Sequence, residues 1–196
     1  MTNQKSESEK RDNPQGSDSF SDERPVVQAD AINGGASLAP PSAHVVLYRP
    51  EIPQNTGNIG RSCVATGAKL WLVGPMGFEI NDSRLKRAGL DYWQHLQWAE
   101  VDSWPELQHQ LPTKRQWVFS RFATRPIWDA PLQPGDAFIF GCESAGLPSE
   151  ILDRDSPYAL NLPTYPEVRS LNLAVTVGVA LYQLLAQCPD ARPGKA

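Results

Sequence analysis

Cysteine is scarce in this chain, and histidine is equally rare. The 196 residues include three of each, which are Cys63, Cys142 and Cys188, and His44, His95 and His109. The cysteine number is odd and no Cys-x-x-Cys pair occurs, which argues against a disulfide framework and a zinc site. The histidines lack the spacing of metal ligands. We therefore expect a reducing compartment and no bound metal.

Long apolar runs are also missing. The longest, near residues 174–186, is interrupted by Thr176, Gly178 and Gln183, so it falls short of a transmembrane helix. The amino terminus is polar and lacks the charged-then-apolar pattern of a secretion signal. Both observations predict a soluble protein of the cytoplasm.

Large apolar side chains are rare before residue 44. Ser, Asp, Glu, Gly, Asn and Pro dominate there, and the few large apolar residues are Phe20, Val26, Val27, Ile32 and Leu38. Such a stretch cannot bury enough apolar surface to offset the entropy that ordering costs. We predict a disordered polar tail over 1–43, one domain over 44–190 and a short tail over 191–196.

The predicted domain has almost no net charge. The chain carries −4 in total, and its tail, with four basic and seven acidic residues, accounts for −3 of this. A near-neutral domain does not indicate nucleic-acid binding by bulk charge. Two local basic clusters are candidates for RNA contact, although solvated surface charge is the simpler explanation of clustering alone. They are Arg84, Lys86 and Arg87, and Lys114, Arg115, Arg121 and Arg125.

The domain begins with the pattern of a strand, a helix and a second strand. Residues 44–49 form a short run with β-branched side chains, and Lys69–Val73 is a second short apolar run. Between them, apolar residues at helical spacing follow Asn55 and Thr56, which are candidate N-caps, and Gly67 is the expected helix end. This pattern predicts a βαβ unit with a short crossover.

The alternation continues to the end of the domain. Further strands are predicted over 97–101, 116–120, 137–140 and 158–162. Helices are predicted over 84–88, after the N-cap Ser103, over 148–153 and over 171–187. Strands that alternate with helices predict an α/β fold with a mostly parallel sheet and flanking helices.

Three loop segments follow predicted strands, where α/β folds place their ligand sites. The segments are 55–61 (Asn-Thr-Gly-Asn-Ile-Gly-Arg), 141–147 (Gly-Cys-Glu-Ser-Ala-Gly-Leu) and 162–173. Taken singly, each has a structural explanation: helix capping in the first, turn glycines in the second, and Ser170 as the cap of the last helix. None matches a phosphate-binding P-loop or a Gly-x-Gly-x-x-Gly fingerprint.

Taken together, the three segments resemble motifs 1, 2 and 3 of the SpoU/TrmH branch of the SPOUT methyltransferases, over about residues 44 to 187. Segments 48–59, 74–78 and 84–92 further resemble the tRNA (cytidine/uridine-34-2'-O)-methyltransferase (TrmL) subfamily, which lacks a separate RNA-binding domain. Three features depart from the pattern: the acidic tail, Cys142 where a Pro is usual, and Ala145 where a larger polar residue is common.

The resemblance implies an α/β fold whose carboxyl-terminal segment forms a deep trefoil knot, a rare exception among proteins. It implies a homodimer, in which motif 1 of one subunit faces the cofactor of the other. The helix over 171–187 is then a candidate dimer face, although a core helix explains it equally well. The implied cofactor is S-adenosyl-L-methionine (AdoMet), held by Phe119, Gly141, Gly146, Leu162, Ser170 and Asn172.

The implied reaction methylates the ribose 2'-hydroxyl of the tRNA wobble nucleotide, cytidine 34 or a modified uridine 34, in leucine tRNAs. Catalytic roles fall on Arg61, Asn55, Glu143 and Tyr182. Glu143 would pair with an arginine across the dimer, and Tyr182 is expected on the inward face of the last helix. The anticodon stem-loop would contact Arg84, Lys86, Arg87 and Tyr92, with Trp93 as a further stacking candidate.

Arg61 matches the arginine to which the resemblance assigns proton handling, but a guanidinium is a reluctant base because its pKa exceeds about 12. We expect Arg61 to hold the ribose or its phosphate and to lower the pKa of the hydroxyl electrostatically. Two alternatives stay open: a 2'-O-methyltransferase of another tRNA or rRNA position, and a non-catalytic RNA-binding protein with the same fold.

Overall fold

The computed structural model describes residues 40–78 and 91–194. The predicted polar tail up to residue 39 and the predicted helix over 84–88 lie outside the described residues. The same holds for the RNA-binding candidates Arg84, Lys86 and Arg87.

The predicted βαβ unit is confirmed. Strand β1 covers His44–Tyr48, helix α1 covers Pro53–Thr66, and strand β2 covers Lys69–Val73, parallel to β1. Gly67 ends α1 in the left-handed conformation, with φ of 73°. The prediction of Asn55 and Thr56 as N-caps is wrong. A proline fits the first helical position, so α1 begins at Pro53 and buries both side chains in its first turn.

The remaining elements follow the predicted alternation with small shifts. They are β3 (Trp98–Val101), α2 (Trp104–Gln110), β4 (Gln116–Phe119), β5 (Arg125–Pro126), β6 (Ala137–Phe140), β7 (Ala159–Asn161) and α3 (Leu173–Gln187). Short 3-10 helices cover Asp91–His95, Ile127–Asp129 and Pro189–Ala191. Ser103 caps α2 as predicted, since its side chain accepts from the Glu106 N–H.

Two local predictions fail. Residues 148–153 form an isolated turn in which Ile151 and Leu152 both donate to the Pro148 carbonyl, because a single helical turn gains too few bonds to propagate. Ser170 does not cap the last helix. Asn172 does so, since its side-chain oxygen accepts from the N–H groups of Ala174 and Val175.

The strands form one parallel seven-stranded sheet in the order β3-β2-β1-β6-β4-β7-β5. On one face, Ile59 of α1 and Leu181 of α3 join the core with Leu47. On the other face, Leu107 of α2 packs with Ile139. The prediction of a mostly parallel α/β sheet with flanking helices is therefore confirmed, and the carboxyl ends of β4, β6 and β7 meet at one edge.

Helix α3 has a buried face and an exposed apolar face. The buried residues are Val177, Ala180, Leu181, Leu184 and Leu185. Val175, Val179 and Tyr182 recur at helical spacing on the other face and are 52%, 42% and 60% exposed. The expectation that Tyr182 points inward is wrong, because it lies one position beyond the buried Leu181. None of the helices in the described ranges combines the length and apolarity that crossing a bilayer requires.

Candidate active site

A cavity of about 930 Å³ opens at the carboxyl ends of β4, β6 and β7. This is the edge of a parallel sheet at which α/β proteins bind ligands. All six residues that the sequence assigned to the cofactor line this cavity, namely Phe119, Gly141, Gly146, Leu162, Ser170 and Asn172. The fold therefore brings together residues that are up to 53 positions apart in the chain.

The cavity wall combines flat apolar surface with irregular backbone. Phe119 and Phe140 stack with ring centroids 4.5 Å apart and an interplanar angle of 22°, and Leu160 and Leu162 lie beside them. Segment 162–172 forms neither helix nor strand, so its backbone groups lie outside the regular hydrogen-bond ladders. Such a wall suits a ligand with a flat heteroaromatic ring and polar edges.

The loop after β6 is shaped by two glycines. Cys142 and Gly146 form an isolated antiparallel bridge, closed by a 2.9 Å hydrogen bond from the Gly146 N–H to the Cys142 carbonyl. A Cβ atom on Gly141 would lie 2.1 Å from the Gly146 carbonyl carbon, and Gly146 has a φ of 74°. Both positions therefore require glycine, the first for close backbone approach and the second for its left-handed conformation.

A chain of amide and carboxylate side chains joins all three motif segments. The Asn55 Nδ2 donates to Glu143 Oε1 at 2.9 Å, and the Asn172 Nδ2 donates to Asn55 Oδ1, also at 2.9 Å. Asn172 in turn caps α3. Asn55 thus acts as both donor and acceptor, and its side chain is only 6% exposed. The predicted site residues Asn55, Glu143 and Asn172 form one hydrogen-bonded unit.

Sequence reasoning missed two further members of this network, Glu51 and Ser144. The backbone N–H of Glu51 donates to Glu143 Oε2 at 2.9 Å. In return, the carboxylate of Glu51 accepts from the Ser144 N–H at 2.9 Å and the Ser144 hydroxyl at 2.7 Å. These hydrogen bonds lower the pKa of Glu51. Glu51 belongs to segment 48–59 that carried the resemblance, which was the available indication of its role.

Glu143 therefore has partners within its own chain. Its two carboxylate oxygens accept from Asn55 and from the Glu51 backbone. The predicted contact of Glu143 with an arginine across a dimer stays a prediction.

Arg61 lies on the exposed side of α1, and the described lining of the cavity does not include it. Its guanidinium carbon lies 4.8 Å from the centroid of the Tyr92 ring. The Tyr92 hydroxyl donates to the Gly57 carbonyl at 2.7 Å, which anchors the ring against α1. Tyr92, expected to stack on RNA, is thus half-buried and supports Arg61 through a cation–π contact.

Trp93 is packed in the same way. A Cβ atom on Gly60 would lie 2.8 Å from the Trp93 ring, so the indole rests directly on α1. Its ring centroid also lies 5.8 Å from that of Trp98. The 3-10 helix Asp91–His95 therefore packs against α1, and the expectation of Trp93 as an RNA-stacking residue stays a prediction.

The second basic cluster divides into structural and exposed residues. Arg115 forms a 2.6 Å ion pair with the fully buried Asp136, and Arg125 donates to the backbone carbonyls of Pro157 and Asp129. Arg121 instead is exposed and lines the cavity. Within the described residues, no group of three or more His, Cys, Asp or Glu side chains is arranged to hold a metal ion.

The model of the SpoU rRNA Methylase family matches residues 42–182. A protein of Methylovorus glucosotrophus (strain SIP3-4), named tRNA (cytidine(34)-2'-O)-methyltransferase, is 42% identical over 144 residues, which are 73% of this chain and 94% of that protein.

The chain is also similar to solved structures of RNA methyltransferases. One that concerns 2-OH methylation of C/U34 on tRNA superposes with a TM-score of 0.70 at 44% identity and covers 77% of this chain and 93% of that one. The SpoU methyltransferase AviRb from Streptomyces viridochromogenes, in complex with the cofactor AdoMet, has a TM-score of 0.66 at 23% identity. That alignment covers 84% of this chain and 63% of AviRb, and it shows a shared fold.

Proposed function

The chain belongs to the SpoU rRNA Methylase family, and we propose that it methylates the ribose 2'-hydroxyl of the tRNA wobble nucleotide, cytidine 34 or a modified uridine 34, with AdoMet as the methyl donor. The relative with 42% identity has this activity in its name, and the chain spans 94% of that relative. Leucine tRNAs are the proposed substrates, and the cytoplasm is the proposed compartment.

The observation that supports this function most strongly is the hydrogen-bonded unit of Asn55, Glu143 and Asn172. Each residue comes from a different motif, and the three meet at the edge of the cavity. A shared fold alone does not require this arrangement, because the same fold hosts different activities. An intact polar unit beside a ligand cavity is expected of a working site.

The cavity residues fit AdoMet. The apolar wall of Phe119, Phe140 and Leu162 suits the adenine ring, and the irregular segment 162–172 offers backbone groups for its polar edges and for the methionine part. The Asn161 side chain lines the same cavity, and its oxygen has no hydrogen-bond partner among the described residues. The amino groups of AdoMet are donors of the kind that this acceptor needs.

When bound, AdoMet supplies a methyl group already activated by a sulfonium. The protein must then align the ribose oxygen with that methyl and manage the proton of the hydroxyl. We propose that Arg61 holds the ribose or its phosphate and stabilises the forming alkoxide, with Tyr92 fixing its guanidinium. The hydrogen bond between Asn55 and Glu143 keeps helix α1 and the loop of motif 2 in a fixed arrangement while this happens.

A homodimer completes the site. Arg61 lies outside the lining of its own cavity, so a second subunit is the natural recipient of its side chain. The exposed apolar stripe of Val175, Val179 and Tyr182 on α3 supplies a self-complementary surface for a two-fold contact. We also propose that the segment after β7 passes through a loop as the family's trefoil knot. Arg84, Lys86 and Arg87 remain the proposed anticodon contacts.

The decisive experiment incubates the purified protein with labelled AdoMet and total tRNA from cells that lack its gene. Mass spectrometry should find one new 2'-O-methyl group, on the wobble ribose, and Arg61→Ala should abolish it. Methylation elsewhere would replace the substrate with another RNA position. Measured AdoMet binding without methylation of either tRNA or rRNA would favour the non-catalytic alternative.

Full turnover by Arg61→Lys would refute the planar, two-pronged role of Arg61. Tyr92→Leu, which removes the ring beneath the guanidinium, should lower kcat more than it raises the KM for tRNA.

A further inference from the structure

Three residues from separate parts of the chain meet at the mouth of the cavity: Arg121 and Phe122, which follow β4, and Arg154, which precedes β7. The guanidinium carbons of Arg121 and Arg154 each lie 4.3 Å from the centroid of the Phe122 ring. The two cationic groups therefore lie within about 9 Å of one another. Phe122 itself is 49% exposed, which is unusual for a phenylalanine in a chain with a well-formed core.

The two arginines at this rim have no ion-pair partner among the described residues. Among the described residues, the ion pair of the structure joins Arg115 to Asp136 and involves neither Arg121 nor Arg154. The nearest acidic residues in sequence are Asp153 and Asp155, which are exposed, and Asp153 accepts from the Asp155 N–H. Two like charges held close together repel, and the face of one aromatic ring offsets this only in part.

The guanidinium N–H groups of Arg121 and Arg154 indicate which kind of ligand would bind at this rim. Guanidinium groups bind phosphate oxygens through paired N–H groups, and their planes accept stacked bases. Phe122 holds both groups at the cavity mouth, where a ribose must enter to reach the cavity. The phosphates next to that ribose would then lie within reach of the two guanidinium groups.

We propose that Arg121, Phe122 and Arg154 form a binding site for the phosphodiester backbone of the RNA substrate next to the nucleotide that enters the cavity. This inference rests on the proposed function. It assigns RNA contact to the described cavity rim, separate from Arg84, Lys86 and Arg87. Phe122 acts as a support that holds the two guanidinium groups toward one strand.

The test compares full-length wild-type protein with the double variant Arg121→Ala/Arg154→Ala. The matched control is Arg192→Ala, which removes an exposed positive charge beyond the carboxyl end of α3 and outside the cavity lining. The affinity for tRNA is measured across a range of salt concentrations, and the affinity for AdoMet is measured by calorimetry without RNA.

The double variant should bind tRNA about tenfold or more weakly than wild type. The slope of log affinity against log salt should become shallower by about 1 per arginine, while AdoMet binding stays unchanged. Arg192→Ala should match wild type in both measurements.

Unchanged tRNA affinity and slope in the double variant would overturn the inference, while tRNA methylation by wild type would leave the proposed function standing. Weakened AdoMet binding would overturn it differently, by assigning the arginines to the cofactor's carboxylate. Wild-type protein that neither binds nor methylates tRNA would overturn the proposed function itself and this site with it.

Discussion

Replacing Asn55 with Asp should turn the central hydrogen bond of the site into a repulsion. Asn55 donates to Glu143 Oε1 at 2.9 Å, and an aspartate of the same size would put a second carboxylate there. Two carboxylates about 4 Å apart near a protein surface repel by about 4 kcal/mol. Because Glu143 is only half-buried, we expect screening to reduce the loss of unfolding free energy to about 1–2 kcal/mol at neutral pH.

This loss should depend on pH in a defined direction. A proton shared by the two carboxyls restores a hydrogen bond, so the variant pair has a pKa above the ordinary carboxyl range. The difference in stability from wild type is therefore complete above that raised pKa and shrinks as the pH falls through it. Chemical denaturation at several pH values measures it, with the exposed Asn58→Asp as the matched control. Equal stability of both variants at every pH would refute the reasoning.

Three further predictions concern the loop, the dimer and the core. Gly141→Ala should abolish AdoMet binding in calorimetry, because its Cβ would lie 2.1 Å from the Gly146 carbonyl carbon, whereas Gly178→Ala, with only a contact at 4.0 Å, should bind normally. Val179→Asp should convert a dimer into a monomer in analytical ultracentrifugation, and a persisting dimer would contradict the proposed interface. Burial lowers the pKa of His44 to about 4. The unfolded state, with a pKa of about 6.5, then binds the extra proton between these values. The unfolding free energy should thus decrease as the pH is lowered through that window, by at most about 1.4 kcal/mol per pH unit, and His44→Asn should lack this slope.

Local chemistry made part of the fold predictable. Gly67 and Ser103 act at helix ends through their own backbone or side chain, so the sequence around them was sufficient. The failures involve competition between neighbours. Helix α1 begins at Pro53 and not after an Asn55 cap, and the N-cap of α3 is Asn172 and not Ser170. Only the capping role expected for Asn55 and Ser170 was wrong, since both line the cavity to which the resemblance assigned them.

The residues that line the cavity were predictable, but the hydrogen-bonded network beside it was not. Phe119, Gly141 and Ser170 reached the same cavity as the resemblance implied. The pairing of Glu51 with Ser144 joins residues 93 positions apart, and no local pattern encodes it. The orientation of Tyr182 depended on which face of α3 packs against the sheet, which helical spacing in a nearly all-apolar helix leaves undecided.

The central claim is that the methyl group goes to the 2'-hydroxyl of nucleotide 34 in tRNA. The most direct test uses tRNA in which a single nucleotide is replaced by its 2'-deoxy form, at the wobble position or at either neighbour. We predict that the wobble 2'-deoxynucleotide abolishes methyl transfer from labelled AdoMet, while the neighbouring replacements leave it largely intact. Undiminished transfer to tRNA without the wobble 2'-hydroxyl would contradict the account.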